Sequence, residues 1–300
     1  MRALVVTNMY PTAQRPSLGI YVRDQVEALR RLEADVEVFT FPPGTPAGYM
    51  AAARQLRRGR ERYDVVHAHF GLTAWPALAA RARRRVVTLH GTDVTNPRSR
   101  AITRAALPRY DLVAAVSEEL AGRVPTKRRL AVLPCGVATD RFGRMSRADA
   151  RRQLGLDPEG PCVLFPADPQ RPEKRYDRAL AVARDAPLLA LRGVDPSEVP
   201  LWVNAANAVL VPSDREGFGL AVLEALACDV PVLATPVGIA PVALQGIDGT
   251  YCGAFEEDKW RTTLAPHLAS DDPRIEGRAR AEEYSADRMA QRVLDAWRSL

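Results

Sequence analysis

Short apolar runs alternate with amphipathic stretches along this chain. The alternation predicts strands joined by helices in a parallel α/β sheet. In the first half, the runs at 3–7, 36–41, 65–68, 86–89, 112–116 and 131–133 read as strands. The clearest helix covers 20–32, where Ile20, Val22, Val26 and Leu29 recur at helical spacing among charged residues. A second series begins after Arg144, with strands at 162–166, 188–191, 208–211 and 230–234 and helices at 148–154, 176–185, 220–227 and 260–269. The stretch 273–300 reads as one or two charged helices. The polar segment 136–150 contains the boundary between the two series. The expectation is two Rossmann-like domains facing across a cleft, 1–143 and 144–284, with the C-terminal helix, about 285–300, packing back on the first. In open sheets of this kind ligands bind beyond the carboxyl ends of the strands, so the loops that follow strands are where chemistry is sought.

Composition narrows the class. A length of 300 residues suits two domains, each with its own core. A chain 47% hydrophobic and 26% charged is not disordered, collagenous or coiled coil. No apolar run reaches the roughly 18 residues of a membrane span, and the short N-terminal run reads as a first strand, not a signal peptide. Cys135, Cys162, Cys228 and Cys252 form no C-x-x-C pair and have no histidine at zinc spacing. Small buried hydrophobes in a reduced, cytoplasmic chain are expected. The net charge is +6, and lysine occurs only at Lys127, Lys174 and Lys259. Arginine concentrates at 54–62, 81–85 and 123–129, where solvated helix faces are the default reading and a peripheral patch for anionic membrane stays open. No aromatic interleaving supports a nucleic-acid surface.

The most informative segment is VLVPSDREGFGLAVLEALACDVPVLATPVG, 209–238, which reads strand, loop, helix, strand. Gly217 and Gly219 let backbone approach a ligand, and the helix opening at Leu220 offers free N–H groups to a phosphate. Taken singly, Glu216 suits a helix-capping acid and Glu224 a solvated helix position. Eight residues apart around the same turn, both can face one ligand, and carboxylates suit polyol hydroxyls. A phosphate flanked by two hydroxylated groups describes a nucleotide-sugar.

This string resembles the E-x7-E signature of retaining glycosyltransferase family 4, which has the GT-B fold. PSLGIYVRDQVEAL (16–29), LHGTDV (89–94), AVSEEL (115–120) and LPCGVATDRF (133–142) are similar to further elements of the family. ADPQRPEKRYDRALAVA (167–183) resembles the subgroup of teichuronic-acid biosynthesis transferases. The resemblance implies that Arg171 and Lys174 neutralise the donor diphosphate, that Glu216 binds the transferred sugar and that Glu224 binds the ribose. It gives the phosphate to amides around Phe218, Gly219 and Leu220. It puts His90 near the sugar's reacting face, with Asp93 orienting His90 or its loop, and it has Gly19 leave room for phosphate or acceptor. A lone histidine is more often structural, and helix caps are the alternatives for Asp93 and Ser117. Arg171 lies three residues before the lysine where the family arginine usually lies five, and the stretch between Leu191 and Ala208 is short for the family, so the base is left open.

The implied activity is a retaining hexosyltransferase of cell-surface polysaccharide or glycoconjugate synthesis, working at the inner face of the plasma membrane on a sugar or lipid-linked acceptor. No cofactor and no metal are expected, since no D-x-D stands out and cationic groups can take the metal's place. The competing readings are a non-enzymatic nucleotide-sugar binder, a GT-B-like epimerase or phosphorylase, and a dinucleotide oxidoreductase. VVTNMYPT after the first strand lacks the G-x-G-x-x-G that the last would need.

Overall fold

The computed structural model of the chain describes every residue but 185. Backbone contacts divide it into two units, Met1–Gly136 with Ala286–Leu300, and Val137–Ser285. The segment 137–143, assigned from sequence to the first half, belongs with the second. Val137 bridges to Ser285, and the Arg278 guanidinium donates to the carbonyls of Thr139 and Phe142.

The first unit holds six parallel strands: β1 Arg2–Thr7, β2 Asp35–Thr40, β3 Arg62–His69, β4 Arg81–Leu89, β5 Leu112–Ala115 and β6 Arg129–Val132. They lie in the order β2-β1-β3-β4-β5-β6. Its helices are α1 Ile20–Arg31, α2 Pro46–Arg58, α3 Ala74–Ala77, α4 Thr92–Thr95, α5 Pro97–Ala106 and α6 Glu118–Ala121. The runs in β1 and β5 are continuously apolar because parallel strands are covered on both faces. On one face, Val22, Val26 and Leu29 of α1 pack with Met289, Val293 and Trp297 of the C-terminal helix Ala286–Arg298 against Ala3, Val5 and Val86. Arg81–Arg85 form the first half of β4, not a helix face. Their backbone groups pair with β3, Arg62 level with Arg81 and Val66 with Arg85, and the ladder overrides the polar composition.

The second unit holds β7 Val163–Phe165, β8 Leu188–Ala190, β9 Ala208–Val211, β10 Val232–Ala234 and β11 Tyr251–Cys252, all parallel, in the order β11-β10-β9-β7-β8. Its helices are α7 Arg147–Leu154, α8 Tyr176–Ala183, α9 Val199–Ala205, α10 Leu220–Ala227, α11 Ala240–Ala243, α12 Glu257–Leu268 and α13 Arg278–Glu283. The helix expected over 176–185 ends at Ala183, and the last residue of that expectation, Asp185, lies outside the described residues. Trp260, fully buried, anchors α12 against Phe165, Leu210 and Leu233. Only α9 separates β8 from β9, so the short 191–208 stretch adds no strand.

Strand order fixes where each sheet opens. In the second unit the chain moves from β7 out to β8, then returns to the other side of β7 as β9. The switch point therefore lies at the carboxyl ends of β7 and β9. In the first unit it lies between β1 and β3.

Candidate active site

Residues after β7 and β9 meet in a small pocket at the second unit's switch point. Pro166 and Ala167 follow β7, Ser213 follows β9, and Ala221 comes from the first turn of α10; Lys174 and Glu216 complete the lining. The Lys174 Nζ donates to both carboxylate oxygens of Glu216 at 2.6 Å. The pair is largely buried, with side-chain exposures of 15% and 9%. Ser213 Oγ donates to Glu216 Oε1 at 2.8 Å, and the Ser213 carbonyl in turn accepts from Thr235 Oγ1.

Neighbouring contacts hold the two charged groups in register. Asp214 N donates to the Glu173 carbonyl. Arg175 and Arg178 both pair with the Asp214 carboxylate, at 3.2 and 2.9 Å, and Arg178 also donates to the Pro212 carbonyl. The segment carrying Lys174 is thereby tied to the loop carrying Glu216. Arg171 does not join them. Its guanidinium turns to Glu173, 2.8 Å away, and stays more than half exposed. Sequence spacing could not show this capture by a carboxylate two residues on.

Gly217, Phe218 and Gly219 form the turn into α10. Gly219 takes φ 91°, the left-handed region that favours glycine, and caps the helix. The Phe218 side chain is buried, and its carbonyl accepts from Ile239 N at 2.7 Å. The amides around Leu220 belong to a helix start, which has unsatisfied N–H groups and the positive end of the dipole. Glu224 is half-buried among the fully buried Val222, Leu223, Ala225 and Leu226. Three residues after Ala221, it shares the face of α10 that borders the pocket.

The remaining candidates lie in the first unit. His90 follows β4, with its ring packed against Phe70 at 4.6 Å and Tyr21 at 5.0 Å. Asp93 accepts from the backbone N–H groups of His90, Gly91 and Gly71, so it staples the loop after β4 to the loop after β3. Burial raises its carboxyl above the usual range, and these same donors oppose the rise. Ser117 caps α6, accepting from Leu120 N. Gly19 caps α1 with φ 66°, and a Cβ there would fall 2.2 Å from the Met9 carbonyl oxygen. A side chain at Gly19 would thus run into the chain's own backbone.

Two histidines absent from the sequence candidates stand beside His90. His67 and His69, alternate residues of β3, point to one face and stack at 4.6 Å. His69 Nδ1 lies 3.0 Å from His90 Nε2. Burial is the main cause that pushes the His69 imidazole down to about 3 and holds His67 and His90 well below the ordinary value. The H-A-H alternation at a strand end was the available signal.

Comparisons with known proteins fit these two units. Residues 41–141 match the family model described as Glycosyltransferase Family 4, and residues 167–266 match Glycosyl transferases group 1. A D-inositol 3-phosphate glycosyltransferase from Xylanimonas cellulosilytica is 26% identical over 95% of this chain and 92% of its own. One from Mycolicibacterium gilvum is 29% identical over 93% and 74%. Among solved structures, sucrose-phosphate synthase from Thermosynechococcus elongatus superposes with a TM-score of 0.73 at 19% identity, covering 100% of this chain and 99% of its own. Anabaena HepE in complex with UDP and glucose gives 0.73 at 17%, covering 100% of both chains. These structural neighbours share the fold, that of the GT-B glycosyltransferases.

Proposed function

Because the chain belongs to the family 4, group 1 glycosyltransferases, we propose that it moves a sugar from a nucleoside-diphosphate donor to an acceptor hydroxyl, with retention of configuration and without a metal ion. The observation that carries this reading is the buried Lys174–Glu216 pair in the switch-point pocket at the α10 amino terminus. HepE, whose structures hold UDP and UDP-glucose, supports a nucleotide sugar as donor.

Transfer requires the bond from the anomeric carbon to the diphosphate to break while charge builds on the leaving oxygen. The Lys174 ammonium and the α10 amides are preorganised for that charge. Glu216, with its oxygens engaged by Lys174 and Ser213, serves as an acceptor for sugar hydroxyls and not as a nucleophile. Glu224 takes the ribose hydroxyls, two lone-pair-rich oxygens against two O–H donors. Arg171 reaches the diphosphate on release from Glu173. The acceptor hydroxyl attacks from the face the diphosphate leaves, and its proton passes to the departing phosphate oxygen.

The setting we propose is glycoconjugate or envelope polysaccharide synthesis at an anionic membrane surface. No helix among the described residues is long and apolar enough to cross a membrane. The contact is assigned to α3 and α5. Trp75 and Ile102 are exposed there, and the Arg109 guanidinium sits 5.4 Å over the Trp75 ring. Arg98, Arg100 and Arg104 are exposed, with no ion pair among the described residues. Trp beside unneutralised arginine suits the headgroup region. By contrast, Arg62, Arg81–Arg85 and Arg129 mark the amino ends of β3, β4 and β6, the edge opposite His90.

The test is turnover of a nucleotide-sugar panel in EDTA, with D-inositol 3-phosphate and membrane lipid extract as acceptors and the product anomer read by NMR. Turnover in EDTA with retained configuration is expected. Inversion, or activity only with added divalent metal, contradicts the reading.

A further inference from the structure

His69 hydrogen-bonds His90 in the interior of the first unit, and donor–acceptor logic assigns the protons along the chain of contacts that leads there. Trp297 Nε1, which can only donate, lies 3.3 Å from His67 Nδ1. His67 Nδ1 therefore accepts, its proton sits on Nε2, and Nε2 donates to Thr88 Oγ1 at 2.7 Å. The Gln25 amide nitrogen, also a donor, faces His69 Nε2 at 3.5 Å. His69 Nε2 accepts, so the His69 proton sits on Nδ1 and points at His90 Nε2, 3.0 Å away. His90 Nε2 accepts in turn, which leaves the His90 proton on Nδ1. That nitrogen has no protein partner among the described residues, and the His90 ring is only half-buried.

We infer that Gln25 and His69 are positioning residues that fix His90 in its Nδ1–H form, so that His90 meets the substrate as a hydrogen-bond donor and not as a base. The inference rests on the proposed transferase activity and on the place near the sugar's reacting face that the family resemblance gives His90. In a neutral imidazole, the bond made by one nitrogen sets the state of the other. With Nε2 occupied and Nδ1 protonated, the ring has no lone pair for an acceptor's proton. It has one donor for a sugar oxygen, on a ring packed against those of Tyr21 and Phe70. Stacked, buried histidines that exchange protons along a line would be a relay; here the line ends in a fixed donor.

Gln25→Glu tests the direction. A carboxylate at this position only accepts, so the chain reverses: His69 Nε2 donates to it, His69 Nδ1 accepts from His90 Nε2–H, and His90 Nδ1 becomes a lone pair. Histidine-selective ¹⁵N NMR of the full chain reads the states directly. The expected result is Nδ1–H at His90 and Nε2–H at His67 in the wild type, with His90 switched to Nε2–H in Gln25→Glu. The accompanying fall in kcat is about tenfold or more, the worth of one well-placed hydrogen bond, with KM for the acceptor little changed. Nε2–H at His90 in the wild type overturns the inference without any variant having to fold. If the state switches but kcat does not move, His90 plays no part in transfer, and it is the functional reading of His90 that fails.

Discussion

Gly238 governs the glutamate loop by lacking a side chain. Its φ is 61°, and a Cβ would lie 2.3 Å from the Phe218 carbonyl oxygen and 2.9 Å from Cβ of Glu216. Gly238→Ala combines left-handed strain with a clash against backbone. It is expected to lose about 2 kcal/mol or more of stability, measured by denaturant unfolding, and to shift the turn that aims Glu216. Loss of under half a kcal/mol would show that the loop yields freely. At Gly219 the nearest atom to an added Cβ is 3.6 Å away, so only the dihedral restrains that position. Lys174 and Glu216 were legible as residues, one as a rare lysine and the other as the first acid of a spaced pair. Their direct contact was not legible, because it depends on Asp214 being claimed by Arg175 and Arg178 across 36 to 39 positions of chain. The pairing of Arg171 with Glu173 was not legible either, since it is a matter of local backbone geometry.

At the level of elements, hydrophobic runs located nearly every strand, because parallel strands buried on both faces carry unbroken apolar sequence. The pattern failed where polarity and structure part. The RARRR run is strand because β3 extends beside it, and Tyr251–Cys252, two residues long, is too short for any periodicity. The α5 helix, PRSRAITRAA, carries a prediction of its own. Replacing Arg98, Arg100 and Arg104 with serine should weaken binding to anionic vesicles by about 1 kcal/mol per arginine, roughly a hundredfold in all. Serine at Arg81 and Arg83, at the amino end of β4, should leave it nearly unchanged. Flotation assays at low and high salt read both, and equal losses would remove α5 as the contact.

Across the whole molecule, the arginine excess divides by task. Arg151 is buried and donates to the Ala205 carbonyl and to Asn207, and Arg274 and Arg278 bind carbonyls across the second unit. These bonds hold loops together and leave a smaller share of the charge for partners. The three clustered histidines, His67 and His69 buried and His90 half-buried, make the first unit sensitive to acid. Their folded-state values lie below the ordinary one, so the unfolded chain takes up protons first as pH falls. The stability they allow is present in full above about pH 6.5 and is lost on acidification toward the His69 value of about 3. The slope is about 1.4 kcal/mol per pH unit for each histidine that titrates only in the unfolded state. Asp93, raised in the fold, works in the opposite sense. Hydrogen exchange in β3 and β4 should accelerate between pH 7 and 5 after correction for intrinsic rates, and no change would mean that the histidines protonate in place. The alignment with the Xylanimonas relative runs over 384 residues against 300 in this chain, so that relative carries insertions absent here.

In the proposed reaction Lys174, held by Glu216, neutralises the departing diphosphate of a nucleotide sugar. Release of nucleoside diphosphate by the wild type and by Lys174→Ala, in EDTA with the same acceptors, tests it most directly. The expected result is a wild type that turns over at least one nucleotide sugar and a variant that loses about 10²–10³ in kcat/KM while keeping its circular dichroism. A Lys174→Ala protein as active as the wild type would contradict it.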